Sequence, residues 1–351
     1  MNATTIGIDL AKNCFQLAVA DERYRVQRRE RLTRKRFAEF MANHPKSLVL
    51  MEACGSANYW GRELTAMGHE VKLIPAQYTR AYVKRNKTDA VDAAALIEAS
   101  RNEEIRPVPI KTIDQQGMQQ LHRVREQYKR TRNARMNLVR GILREYGIDV
   151  PLGIQRGKAA VREALELADN DISNAIRPCI QNLLHEMDEL HEHMKQVERS
   201  LASLSKEDPV VQRQLQTPGV GLLTATAMRA GVVDVQRFPT AQHFACWLGL
   251  TSRECSSGEK RRLGGISKRG DVYLRTLLVN GARAVLQRAK IVKQAGKPLD
   301  RLRSWALEIE ARAGYNKATI AVVNKLARII WATWKYERSF DGDWSVNNAK
   351  T

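Results

Sequence analysis

The order in which hydrophobic periods follow one another over the first hundred residues restricts this chain more than any other feature. TTIGIDL (4–10), CFQLAVAD (14–21) and RYRVQRRERL (23–32) read as three strands in succession, the third with a strongly basic face. A helix follows over 33–43, with Thr33 placed to cap it. SLVLMEA (47–53) is a further β-rich run, 57–67 a helix stopped by Gly68, and EVKLIP (70–75) another strand. An alanine-rich helix closes the unit near residue 101. This order predicts an α/β domain built on a mixed sheet.

Acidic residues fall at particular places in that pattern. Asp9 ends the first strand and Glu52 ends the fourth. Asp89 and Asp92 stand three apart in NKTDAVDAAAL (86–96), a strong helix former. Taken alone, an Asp pair in a first helical turn is explained by the helix dipole. If the first and fourth strands are neighbours, however, all four carboxylates meet at one end of the sheet. Such a cluster does not persist ionised without cations. Hard oxygen donors in that number suit Mg²⁺ or Mn²⁺. Two such ions about 4 Å apart clamp the attacking and leaving oxygens of phosphoryl transfer.

The remainder of the chain is basic. Lys plus Arg exceeds Asp plus Glu by 58 − 38 = 20 over 351 residues, which points to a polyanionic partner. No apolar run approaches the roughly 20 residues that span a bilayer, and no signal peptide precedes the first strand, so a cytoplasmic, nucleoid-associated location without membrane contact is expected. Five scattered cysteines include no CxxC pair, which argues against a zinc site or a disulfide framework. His185, His191 and His193 read as solvated side chains.

From Asp114 to Gly147 the period is that of one long helix carrying Arg123, Arg125, Lys129, Arg130, Arg132, Arg135, Arg140 and Arg144, with few acids among them. That imbalance predicts a nucleic-acid-facing helix, and the basic strand at 23–31 is a second candidate for RNA contact. Residues 148–175 read as loop plus a short helix. From Ile180, apolar residues recur at Leu183, Met187, Leu190, Met194, Val197, Leu201 and Leu204, a heptad seam. It can pair with a second chain or fold back on the 114–147 helix; self-association is the favoured expectation. In the last part, TPGVG (217–221) makes a helix-hairpin-helix-like turn whose Gly219 and Gly221 let a phosphate approach backbone amides. Residues 238–250 are helical, a glycine-, serine- and base-rich loop leads into a helix ending near 286, and 316–336 is an amphipathic closing helix. The expected division is 1–105, 106–209, 210–336 and a polar tail over 337–351.

IGIDLAK, LVLMEACG and KTDAVDA, followed by TPGVG, FPTAQHFACWLGL and SSGEKRRLGGISKRGDVYLRTLL, closely resemble the insertion-sequence one-ten family, DEDD transposases related to the Piv-type DNA invertase. The glycine–serine segment is most similar to the insertion-sequence eleven-eleven subgroup. The resemblance spans about residues 4–336. It implies an RNase H-like (RuvC-like) N-terminal domain, a coiled coil, and a mainly α C-terminal transposase domain. It also implies recombination of an insertion element guided by a structured bridge RNA, one loop of which pairs with target DNA and another with donor DNA. The C-terminal domain of the family supplies a nucleophilic serine, which maps onto SSG at 256–258. Ser257, directly before the glycine, is preferred to Ser256. Lys260, Arg261, Arg262, Lys268, Arg269 and Arg275 would meet the surrounding phosphates. A synapse of two double-stranded DNAs implies a dimer pairing into a tetramer. Two rival readings are a metal-dependent nuclease or junction resolvase, whose acids activate water with no covalent intermediate, and a non-catalytic RNA- or DNA-binding protein with vestigial acids, against which the intact set of four argues.

Overall fold

The computed structural model of the protein describes residues 4–82, 89–167, 169–258 and 260–342, without the side chains of 89 and 90. Two compact units divide at Ile113 and Asp114.

The first unit is a five-stranded mixed sheet. Its strands are β1 (Thr5–Leu10), β2 (Cys14–Ala20), β3 (Val26–Thr33), β4 (Leu48–Glu52) and β5 (Glu70–Ile74), in the order β3-β2-β1-β4-β5. β1 pairs antiparallel with β2 and parallel with β4, so the first and fourth strands are neighbours. α1 (Arg34–Asn43) and α2 (Ala57–Ala66) connect strands, and the single turn α3 (Ala76–Thr79) and α4 (Asp89–Ser100) follow β5. Thr33 caps α1, its side chain accepting from the Arg36 amide.

Because strand side chains alternate, the sheet has two apolar faces. Ile6, Ile8, Val49 and Met51 pack with α1 and α2 around Phe15, Phe37 and Trp60, whose rings meet edge to face at 4.8–5.4 Å. Leu50, Ile74, Ala18 and Ala20 pack on the other side against Ala93, Leu96 and Ile97 of α4. The segment after α4 stays with this unit. The Val108 amide donates to the Leu73 carbonyl at 2.7 Å and the Lys111 amide to Asn58 at 2.9 Å, which carries the unit past the expected boundary at 105.

The second unit begins with α5 (Ile113–Arg144), α6 (Ile154–Glu166) and α7 (Arg177–Leu204). α5 and α7 form an antiparallel hairpin. Met136, Val139 and Leu143 pack with Ile180, Leu184 and Met187 at one end, and Met118 with Val197 and Leu201 at the other. The favoured pairing of the heptad seam with a second chain is thus met largely by the alternative: Ile180, Met187, Val197 and Leu201 are buried within the chain, while Leu204 stays exposed. Ala230, Leu222 and Leu223 of the last part join the Met118 cluster, so residues 114–209 and 210–336 share one unit.

The C-terminal core is formed by α8 (Pro209–Leu215), α9 (Leu222–Val232), α10 (Ala241–Trp247), α11 (Val272–Gln294), α12 (Arg301–Ala313) and α13 (Tyr315–Lys335). TPGVG is the turn joining α8 to α9. The expected loop over 251–270 contains a two-stranded antiparallel hairpin, β6 (Ser252–Glu254) and β7 (Leu263–Ile266), and α12 was not foreseen. No helix among the described residues is long and apolar enough to cross a membrane.

Candidate functional site

In β1, Gly7 lies opposite Leu50 of β4, and Leu50 faces α4. Asp9 is two residues beyond Gly7 and Glu52 two beyond Leu50, so strand alternation turns both acids to the α4 side. Both are half-buried. Their proximity registers on a third group, Cys54. Burial pushes its thiol up from the ordinary value, and the negative charges of Glu52 and Asp9 push in the same direction. Cys54 is therefore a member of the site that sequence patterning did not single out.

The helix approaches this end of the sheet at a glycine. A Cβ on Gly7 would stand 2.2 Å from the Ala93 carbonyl oxygen, so α4 rests directly on β1 where no side chain intervenes. Asp92, adjacent to Ala93, is half-buried and shares a stripe with Leu96 of the sheet-facing core. Asp89 is the first residue of α4; its side chain, and residues 86–88 of the quoted stretch, lie outside the described residues. Three of the four predicted acids are thus carried by elements that meet at one end of one sheet face. Among the described residues no group of three or more His, Cys, Asp or Glu side chains is gathered into a metal cage. The donors present are carboxylates on adjoining strands and on the helix laid over them, a set that suits a hard divalent cation.

Ser257 is exposed in the β6–β7 connection, beside Gly258 at φ +57°. Ser256 is differently placed: its hydroxyl donates to the Glu254 carboxylate at 2.8 Å and accepts from the Arg262 amide at 3.1 Å. The base of the hairpin is fixed. A Cβ on Gly270 would fall 2.3 Å from the Trp247 carbonyl oxygen. Arg275, 9% exposed, donates to the carbonyls of Leu248 at 3.1 Å and Gly270 at 2.9 Å. Its expected phosphate contact is corrected by this burial: the guanidinium clamps backbone oxygens. Lys260, Arg262, Lys268 and Arg269 are exposed, and Arg261 pairs with Glu254 at 3.4 Å.

The cations of α5 divide in the same way. Arg125 pairs with Glu198 at 2.7 Å and Arg135 with Glu186 at 2.6 Å, both acids coming from α7. Lys129 pairs with Glu126. Arg140 donates to the carbonyls of Pro151 and Gly153. Among the described residues, Arg123, Arg130 and Arg132 make no ion pair. Gly219, at φ +82°, packs against α11, where a Cβ would lie 2.8 Å from the Gly281 carbonyl oxygen; Gly221 has open space around it. Helix packing therefore accounts for Gly219.

A buried relay was also not anticipated. His122 of α5 lies with Nδ1 2.9 Å from the Tyr273 hydroxyl and Nε2 3.0 Å from the Thr226 hydroxyl. Burial, and then Arg125, push its pKa down to about 4. The signal available in the sequence was a histidine four residues after Met118, within the apolar stripe of α5.

Comparison with known proteins bears on both units. Residues 6–148 match a family model for the DEDD domain of IS110 elements, described as a transposase. Residues 212–296 match the model described as Transposase IS116/IS110/IS902 family. A probable family 20 transposase of Pseudomonas aeruginosa is 39% identical over 344 residues, covering 97% of this chain and 99% of the relative. The transposase for insertion sequence element IS1111A of Coxiella burnetii is 36% identical over 93% of this chain and 88% of its own length. That for IS1328 of Yersinia enterocolitica is 36% identical over 94% and 96%.

Proposed function

The chain belongs to the IS110 family of transposases and resembles its IS1111 members, and from that premise we propose that it is a bridge-RNA-guided recombinase working through a covalent phosphoserine. As a transposase it is an enzyme that acts on DNA. The observation that carries the proposal is the neighbouring of β1 and β4, which turns Asp9 and Glu52 to one face beneath α4. The strand order β3-β2-β1-β4-β5, with its antiparallel β1–β2 pair and parallel β1–β4 and β4–β5 pairs, supports an RNase H-like (RuvC-like) reading of the sheet.

Asp9, Glu52, Asp89 and Asp92 would hold Mg²⁺ or Mn²⁺. When bound, the cation stabilises charge on a transferring phosphate and eases loss of a hydroxyl proton. The Ser257 oxygen forms the new bond to phosphorus, one P–O bond of the DNA breaks, and the serine proton passes to solvent while the departing sugar oxygen takes up a proton. The ester is conserved on the protein, so exchanged strands rejoin without ATP. The exposed hairpin supports this role: its base is pinned by Arg275 and Gly270, while Ser257 stands open to solvent. The acids of one protomer meeting the serine of another, in a dimer that pairs into a tetramer, would prevent cleavage before the synapse assembles. Bases would be read by the guide, and the protein would hold helix shape and backbone.

The test uses purified protein, a plasmid carrying the joined element ends and target, Mg²⁺, and a transcript of the non-coding sequence flanking the gene. Recombination should require the transcript and the metal, and should disappear in Asp9→Asn. Recombination by Asp9→Asn at the wild-type rate would remove the acid site from the mechanism; full activity without transcript would remove the guide.

A further inference from the structure

The second unit contains a cavity of about 950 Å³ between α5, α7, α9 and α11, within the range of ligand pockets, roughly 300–1,000 Å³. Its wall mixes apolar surface with charged groups, among which cations outnumber the acids Glu126, Glu198 and Asp271. Arg123, Arg130 and Arg132 line it, and so does the His122–Tyr273 pair. Two buried nitrogens on its wall, Arg132 Nε and His191 Nδ1, have no hydrogen-bond partner, a state that disfavours an apolar occupant.

The proton positions of the relay follow from chemistry. The Thr226 hydroxyl lies 2.6 Å from the Leu222 carbonyl oxygen, which only accepts, so the threonine proton points there. Thr226 Oγ1 must then accept from His122 Nε2–H. With the ring neutral, Nδ1 is bare and accepts the Tyr273 hydroxyl proton. Tyr273 has given its one proton away, and its oxygen can offer a visitor only an acceptor. The wall thus combines cations for a phosphate with a fixed acceptor that rewards a hydroxyl or amino donor.

We propose that this cavity holds a ribonucleotide of the guide RNA, with Arg130 and Arg132 on its phosphate and the Tyr273 oxygen accepting from its ribose 2′-hydroxyl. The inference rests on the RNA-guided reading above and deepens it, because it places discrimination of RNA from DNA at one phenol. A deoxyribose offers no proton at that position.

Binding of the full-length protein to a short single-stranded RNA of mixed sequence, to the DNA strand of the same sequence and to its 2′-O-methyl RNA form tests it. Wild type should prefer RNA to both other strands. Tyr273→Phe should weaken RNA binding about fivefold and leave DNA binding unchanged, the loss of one hydrogen bond. Arg130→Gln should weaken all three strands alike. The 2′-O-methyl strand reads the same contact on unaltered protein, independent of any folding defect in the variant. If wild type prefers RNA but Tyr273→Phe keeps that preference, or 2′-O-methyl RNA binds as tightly as RNA, the pocket assignment is overturned and the RNA-guided reading stands. If the variant weakens RNA and DNA equally, the assignment is also overturned. If wild type binds all three strands alike, RNA guidance loses its support along with the pocket.

Discussion

Gly7 of β1 and Ala93 of α4 touch backbone to backbone: a Cβ on Gly7 would stand 2.2 Å from the Ala93 carbonyl oxygen. This contact sets the depth at which α4 lies on the sheet. Asp9 is two residues from one side of it and Asp92 one residue from the other. The spacing of the acid site is therefore governed by a position that carries no functional group.

Gly7→Ala should accordingly act at a distance from the acids. The backbone must separate to admit the methyl group, an overpacking cost of about 1–3 kcal/mol. Denaturant unfolding should show that loss, and DNA strand cleavage should fall by more than the folded fraction accounts for. Cleavage in proportion to folded protein would mean that the depth of α4 does not govern the acids.

Stability should depend on pH through His122. Its pKa falls from an ordinary 6.5 to about 4 in the folded protein, so between those values the unfolded chain binds the extra proton. The contribution is present in full above pH 6.5 and is lost as pH falls through 4, a total of about 3 kcal/mol. Thermal unfolding from pH 7 to 4.5 should show a steeper decline for wild type than for His122→Gln. Parallel curves would contradict the neutral, doubly hydrogen-bonded ring.

Glu186 and Glu198 restrain cations that nucleic acid could otherwise engage. Glu186→Gln frees Arg135 from its pair at 2.6 Å, and Glu198→Gln removes the 2.7 Å pair of Arg125, leaving it the longer one with Glu126 at 3.6 Å. Each substitution should cost about 0.5–1 kcal/mol of stability. If a freed cation reaches phosphate, the salt slope of nucleic-acid binding steepens by about 0.7–0.9. An unchanged slope would show that α5 turns those arginines away from the ligand.

Arg275 should behave as a clamp on the β6–β7 hairpin. Arg275→Gln removes the bonds to Leu248 and Gly270 and should increase proteolysis within 252–266 while leaving nucleic-acid affinity within about twofold, since a buried guanidinium does not contact phosphate. A large affinity loss with no change in proteolysis would restore its expected phosphate contact.

Much of the first unit was legible because its strands bury one face or both, and burial writes period 2 into the sequence; the Thr33 cap was legible as a capping residue type before a helical run, whereas the neighbouring of the first and fourth strands entered only as a condition, which the sheet order meets. The hairpin at 252–266 left no such trace, since its residues are almost all exposed and glycine-, serine- and base-rich. The charge on α5 was legible only as a sum. Which arginines are paired depends on Glu186 and Glu198, some fifty to seventy residues away in the chain, and no local window joins them. The heptad seam specified an apolar stripe but not its partner, because α5 offers the same chemistry as a second chain would. Cys54 and the His122 relay depend on positions brought together only by folding.

The most direct test of the account is to incubate the protein with Mg²⁺, transcript and DNA carrying the element junction, then digest the trapped material and locate the DNA-linked residue by mass spectrometry. The account predicts phosphodiester-linked DNA on Ser257, with no adduct formed by Ser257→Ala or Asp9→Asn. Strand cleavage without any protein–DNA bond, or an adduct that persists in Ser257→Ala, would contradict it.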